Sequence, residues 1–336
     1  MPSLTPCALP LALLALAVPG SGVASAPAVL PAGLSAGGQE PSLPSGVQAG
    51  DEGERVTLYH PDGSKAREGM IQNGRRVGEW TAWHTSGELA YRGSFRNYNR
   101  EGDWSFWRPN GTLRARGSYL EDARHGVWNM FGGDGHLVSK AHWAKGVLHG
   151  EQERYFESGK IKSTMTWAAG QQTGPATIYR EIPDSKAKAQ PGEKVPMIRS
   201  LFEQGAHENG RRTGVWSEFY PNGKVKTKGP YVNGKREGLW NFYLADGGDE
   251  ASGRYLADEQ SGHWVGYHPG GGKKFEGEFL VGVAQGAWTR WWPSGQKKAQ
   301  GSILDGKWHG EWKAWDKDGR VDAKLTGTYS QGTKQK

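Results

Sequence analysis

Between Glu54 and residue 332 the apolar positions of the chain are mostly rings and glycines, and they return at a fixed interval. A glycine stands two residues before a tryptophan as Gly78 and Trp80, Gly102 and Trp104, Gly126 and Trp128, Gly214 and Trp216, Gly238 and Trp240, Gly262 and Trp264, Gly286 and Trp288, and Gly310 and Trp312. The interval is 24 residues. Gly150 and Gly174 keep the register with Gln152 and Ala176 in the tryptophan slot. One break interrupts it: Gly174 and Gly214 are 40 apart, 16 more than the period, and the excess falls in "EIPDSKAKAQPGEKVP". A period of this length marks an architecture in which each unit buries its apolar face against the next.

Nine residues after each repeat glycine comes a second one behind a turn residue, as in Ser86 and Gly87, Asn110 and Gly111, or Asp134 and Gly135. Between alternating strands such a pair predicts a two-residue type I′ hairpin turn, which needs positive φ at both central residues. A hairpin symmetric about it sets Trp80 opposite Gly93, Trp104 opposite Gly117, Trp216 opposite Gly229, Trp240 opposite Gly253, Trp264 opposite Gly277 and Trp288 opposite Gly301. Each indole then covers bare backbone across the hairpin. Phe95, Tyr119, Tyr231, Tyr255 and Phe279 share that face by parity, and so does the aliphatic row Leu89, Leu113, Leu137, Ile161, Val225 and Val321. A second aromatic row, including Trp83, Trp107, Phe131, Tyr155, Phe219 and Trp291, lies at odd offset. It takes the opposite face in a regular strand, or a bulge intervenes, and the spacing leaves both open. Asn73 and Gly74, Asn209 and Gly210, Asn233 and Gly234, and Asp305 and Gly306 turn each hairpin into the next. The expected fold is all-β: tandem 24-residue hairpins in an elongated, twisted antiparallel meander of about 20 strands.

The stretch "GVWSEFYPNGKVKTKGPYVNGKREG", Gly214 to Gly238, carries the pattern Gly, any, Trp, two residues, aromatic, then Pro-Asn-Gly. It resembles the MORN-repeat variant of the antitoxin-like YwqK family, and the resemblance spans about residues 54 to 332. The resemblance implies β-hairpin repeats without catalytic residues, and in members labelled as antitoxins it implies binding of a protein toxin. Related MORN repeats are associated with membrane lipids and with scaffolding.

Composition adds a compartment. Ala8 to Val18 is a short apolar run followed by small residues ending at Ala26, the shape of a secretory signal and too short for a typical span. Cys7, the single cysteine among 336 residues, lies inside it, so a cleaved chain has no thiol, disulfide or cysteine metal site. Residues 27–53, rich in Pro, Gly, Ala and Ser, read as a disordered linker. Two parts of one array follow, 54–182 and 199–332, around an inserted loop at 183–198. With 52 glycines, 16 tryptophans and a mean hydropathy of −0.72, the array lacks the Leu, Ile and Val runs of a parallel sheet or helical bundle.

Charge suggests where a ligand would sit. The formal net charge is +7, and residues 1–53 contribute only Glu40, Asp51 and Glu52, so the rest carries 7 + 3 = +10. Such an excess favours anionic partners. The basic turns Arg75 and Arg76, Arg211 and Arg212, and Lys235 and Arg236 are expected to line one edge and to suit anionic lipid or cell-wall glycan. The second aromatic row offers rings to a sugar or a protein partner. "GSILDGKW" nearly spells a phosphate loop, but it lacks the Ser or Thr that would hold magnesium and no helix follows. The ten histidines have no helical zinc spacing and are expected in solvated loops. The expectation is a non-enzymatic, exported scaffold that binds a protein partner in an antitoxin-like or immunity-like way. The alternative is an envelope anchor on anionic lipid or glycan. No metal, cofactor or nucleic acid is expected.

Overall fold

The computed structural model describes residues 53–187 and 195–336. The expected signal at 1–26, the linker up to residue 52 and the tip of the insertion at 188–194 lie outside the described residues. The described residues are all-β, 24 strands hydrogen-bonded antiparallel in one meandering sheet. The strands Gln171–Pro183 and Met197–Glu208 stay paired as far as Pro183 opposite Met197, so both ends of the expected loop belong to a lengthened hairpin.

Two turn types alternate, and they exchange the places the dipeptides suggest. At Ser86 and Gly87 only the glycine has positive φ, 84°. The His84 N–H donates to the Glu88 carbonyl at 2.8 Å and the Gly87 N–H to that of His84 at 2.9 Å. This is a three-residue hairpin loop closed by a left-handed glycine, in place of the expected type I′ turn. The expected register survives, because a second irregularity leaves Ala90 unpaired: Trp83 opposes Leu89, but Ala82 opposes Tyr91 and Trp80 opposes Gly93. The type I′ turns lie instead between units, where Asn73 and Gly74 have φ of 48° and 69°.

The unpaired Ala90 also settles the faces. It reverses parity, so Leu89 pairs with Trp83 and Leu113 with Trp107, and the aliphatic row joins the second aromatic row on the face opposite Trp80. The expectation that Leu89 shares a face with Trp80 fails at this one residue.

The tryptophans sit in the predicted register, yet their rings lean the other way. Trp80 opposes Gly93 within its hairpin, but its indole covers Gly69 of the preceding unit, where an added Cβ would stand 2.3 Å from the ring. The same holds for Trp104 over Gly93, Trp128 over Gly117, Trp216 over Gly205, Trp240 over Gly229, Trp264 over Gly253, Trp288 over Gly277 and Trp312 over Gly301. In seven of these eight the indole Nε1–H donates to the carbonyl after the covered glycine, as from Trp80 to Met70 at 3.1 Å and from Trp264 to Arg254 at 3.1 Å; Trp288 donates to Gln285 instead. The tryptophan is thus the stitch between units. A bulge makes room for it: across the seam Glu68 opposes Thr81 but Met70 opposes Val77, so Gly78, Glu79 and Trp80 stand against Gly69 alone. Gly78 takes φ 64° with nothing near its missing Cβ, so it is glycine for its backbone conformation.

Edge-to-face contacts continue the seam, from Trp80 through Phe95, Trp104 and Tyr119 to Trp128 at centroid distances of 4.9–6.2 Å. Where the tryptophan is missing, its glycine is missing too. Gln152 opposes Ala141, and Ala176 opposes Met165, so bulk moves from one strand to the other and the seam stays filled.

Candidate interaction surface

The six basic turn residues divide by the pleat. Arg75, Arg211 and Lys235 are exposed. Arg76, Arg212 and Arg236, one residue later, lie half-buried on the tryptophan face. The Arg76 guanidinium stands 4.9 Å from the Phe95 centroid and that of Arg212 4.1 Å from Trp216. Arg236 lies 4.0 Å from Tyr255. Arg212 also grips both carboxylate oxygens of Glu203 at 2.8 Å, and Arg236 pairs with Asp258 at 3.4 Å. Arg100 and Arg124 occupy the same slot and stack likewise on Tyr119 and Trp128. At the last seam Trp308 replaces the arginine and stacks on Trp312 at 3.8 Å. Half of the expected basic edge therefore builds the fold. Arg76 and Trp80 are four residues apart, as are Arg212 and Trp216 and Arg236 and Trp240, so alternation along the strand already puts each arginine on its tryptophan's face.

Burial also governs the ionisable groups here. It raises the Glu203 carboxyl above the usual carboxylate range, against the opposing pull of Arg212. Burial first, and Arg212 second, hold the His207 imidazole below its ordinary value. His207 occupies the ring slot of Tyr231 and Tyr255 and packs edge-on to Trp216 at 5.1 Å. A depressed imidazole means that the unfolded chain takes up a proton first as pH falls through about 6.5, so stability falls with acidification below that point. His207→Phe should flatten this slope, read as thermal midpoints between about pH 7.5 and pH 5.5. An unchanged slope would exclude His207 as its source.

His125, His149 and His263 are exposed, as expected, but three others are less solvated. His60, His84 and His268 each place Nε2 at 2.9–3.1 Å from a backbone carbonyl 23 residues on, those of Trp83, Trp107 and Trp291. Tyr220 and Trp292 use the same reach, to Tyr243 and Trp315, so this edge is tied unit to unit. Among the described residues no group of three His, Cys, Asp or Glu is placed to hold a metal ion. In the second aromatic row the rings are half-buried, and cations stand over several of them, Lys65 over Trp83 at 4.9 Å and Arg199 over Tyr179 at 4.1 Å.

What the sequence reading missed lies on the face opposite the tryptophans, along the type I′ edge of the later units. Val215, Val232, Leu239, Leu256, Leu280, Val281, Val283 and Leu304 are all exposed there. Leu120, Val127 and Val147 hold the same slots in earlier units and are exposed as well, yet the repeat does not demand apolar residues there. Gln72, Arg96 and Glu208 occupy the slot of Val232, Leu256, Leu280 and Leu304, while Glu79 and Asp103 occupy that of Val215 and Leu239. Comparing slots between units would have revealed the strip. Within it Val281 is 68% exposed and has φ 49° at the first position of a type I′ turn, where Asn73, Asn209 and Asn233 stand in other units. A β-branched residue in the left-handed region is strained, and nothing buried repays it.

Residues 76–97, 148–169 and 212–233 match the MORN repeat variant. The first two matches begin 148 − 76 = 72 residues apart, three units; the last two 212 − 148 = 64, two units plus the 16-residue excess. No curated protein matches the chain. Among solved structures it is similar to chains in the crystal structures of TcdB2-TccC3-Cdc42, at 8% identity and a TM-score of 0.18, and of TcdB2-TccC3, at 10% and 0.17. A mutant Tc holotoxin pore of Photorhabdus luminescens gives 9% and 0.18. These matches cover 80%, 80% and 84% of this chain but 17%, 18% and 18% of the others, less than a fifth of their length. Scores this low carry no argument.

Proposed function

We propose that the chain is a non-enzymatic, exported repeat scaffold that docks a protein partner on the aliphatic strip running from Val215 to Leu304. The observation that carries this reading is Val281, strained and exposed within a strip that the repeat does not require. Exposed apolar side chains set among polar ones suit a protein interface; Glu259 and His263 interrupt the strip at the strand Glu259–Tyr267. Arg211, Lys235, Glu259 and Lys307 supply a rim of both signs at the type I′ turns. An antitoxin-like or immunity-like role, as in the YwqK-type repeats, is the form of partner binding this reading favours. Anchoring on anionic lipid or glycan fits less well. Three of the six basic candidates are turned onto rings, and Glu208 and Glu259 interrupt the remaining row.

Val281→Asn tests it, because strain and binding pull in opposite directions. Asparagine tolerates the left-handed region, so the fold should gain about 1 kcal/mol in chemical denaturation. A photo-crosslinking residue in place of Leu280 should give one discrete protein adduct in extract of the producing cell, and Val281→Asn should diminish that adduct despite the stabler fold. Adducts unaffected by Val281→Asn would contradict the reading. Capture only of anionic vesicles, and only at low salt, would favour the anchor instead.

A further inference from the structure

The face opposite the tryptophans carries a row of mostly polar side chains in register, such as Glu68, Thr81, Arg92 and Ser105, and the second aromatic row runs beside it. In a whole hairpin both strands fill these rows: Thr289 opposes Gln300, and pairing runs on to Trp291 opposite Lys297. The last unit breaks off. Lys307–Ala314 pairs with Gly327–Ser330 only from Gly310 to Trp312, and Ala314 is held instead by Asp322 and Thr326, from a turn outside the strands. Lys313 therefore has a strand neighbour on one side alone, Gln300. The missing strand leaves a groove of about 670 Å³ along Glu311, Lys313 and Trp315, lined also by Lys297, Gln300 and Thr328.

A similar groove of about 510 Å³ lies in the first whole unit, lined by Glu68, Glu79, Thr81 and Trp83 among others. The two use the same places in the repeat: Glu79 and Glu311, Thr81 and Lys313, Trp83 and Trp315, Glu68 and Gln300. In the first unit the acids are already taken, Glu79 by Arg92, and Glu68 by Arg55 at 2.7 Å and Lys65 at 2.5 Å. Asp103, four residues before Trp107, accepts from Ser118 at 2.6 Å. The last unit keeps its groups open. Among the described residues Glu311 makes no ion pair or hydrogen bond, and Lys313 only stands over the Trp315 ring at 5.5 Å.

A half-buried indole beside a carboxylate, an ammonium, an amide and a hydroxyl offers one apolar platform with both donors and acceptors around it. That is the complement of a sugar, whose C–H face stacks on a ring while its hydroxyls give and take hydrogen bonds. One ring in an open groove is too little for an apolar ligand, and a phosphate or sulfate would meet the Glu311 carboxylate. Glu311 and Trp315 share a face four residues apart, about 13 Å along the strand, which is longer than a single pyranose. We infer that the groove beside Trp315 binds an uncharged oligosaccharide, a disaccharide or longer. Trp315 stacks on one sugar and Glu311 accepts from hydroxyls of another. Lys313 donates between them, as does Gln300, whose Oε1 is taken by Lys297 at 2.8 Å and whose N–H groups remain. Neither Trp315 nor Glu311 belongs to the aliphatic strip, so sugar binding and partner docking can be tested separately.

Calorimetric titration of the full chain with cellotriose, chitotriose and maltotriose is the test, and at least one of them should bind. Trp315→Ala should abolish that heat. Glu311→Gln, at an exposed position where folding is not at stake, should weaken binding about tenfold by losing a charge-assisted hydrogen bond. Trp83→Ala, in the ion-paired groove, should leave it unchanged. Failure of all three sugars to bind, binding that survives both Trp315→Ala and Glu311→Gln, equal loss in Trp83→Ala, or tighter binding of a sulfated trisaccharide would each overturn the assignment.

Discussion

Replacing Trp264 with alanine is expected to destabilise the protein by about 3–5 kcal/mol, the range for deleting a fully buried large ring. Its side chain is 0% exposed, lies flat over Gly253, and donates from Nε1 to the Arg254 carbonyl. Tyr255 and Phe279 meet it edge-on at 5.3 and 5.9 Å. Because each unit of such an array packs mainly on its neighbours, the loss should concentrate at one seam. Urea denaturation gives the magnitude. Amide exchange should show protection falling first in Asp249–Leu256 and Glu259–Tyr267, the two strands this indole joins.

Gly253→Ala should be nearly as damaging although it adds only a methyl group. The new Cβ would stand 2.0 Å from Trp264 Cδ2, so the indole must leave its place or the strands must part. A cost of about 3 kcal/mol is expected, the upper end for overpacking a tight core. Gly262→Ala is the control. There φ is 66° and nothing lies within 4 Å of the position, so only the backbone preference is lost, about 1 kcal/mol. A measured order with Gly262→Ala worse than Gly253→Ala would mean that the bulge, and not the covered backbone, governs the seam.

The hairpin register was legible from the 24-residue period, since Trp80 and Gly93 recur at constant separation and need no knowledge of the turn. The turn type was not. The three-residue loop after His84 and the unpaired Ala90 cancel in the register, so a symmetric count gives the correct pairs from the wrong turn. The direction of each indole was hidden for a related reason. Trp264 opposes Gly277 within its hairpin and Gly253 across the seam, and a period cannot say which glycine the ring covers. Of the basic candidates, Arg75 and Arg76 are adjacent in sequence and opposite in space. The strip around Val281 was legible in principle, as aliphatic residues in slots where other units carry Arg, Gln or Glu. Averaging over units is what concealed it.

The most direct test of the seam is a pair of double-mutant cycles on Trp264, one with Gly253→Ala and one with Gly277→Ala, both read by chemical denaturation. If the indole stitches units together, Gly253→Ala becomes nearly neutral once Trp264 is alanine, giving a coupling of about 2–3 kcal/mol. Gly277→Ala, which instead collides with Trp288, should then keep its full cost and simply add. Coupling to Gly277 with additivity at Gly253 would contradict this packing and place the indole inside its own hairpin.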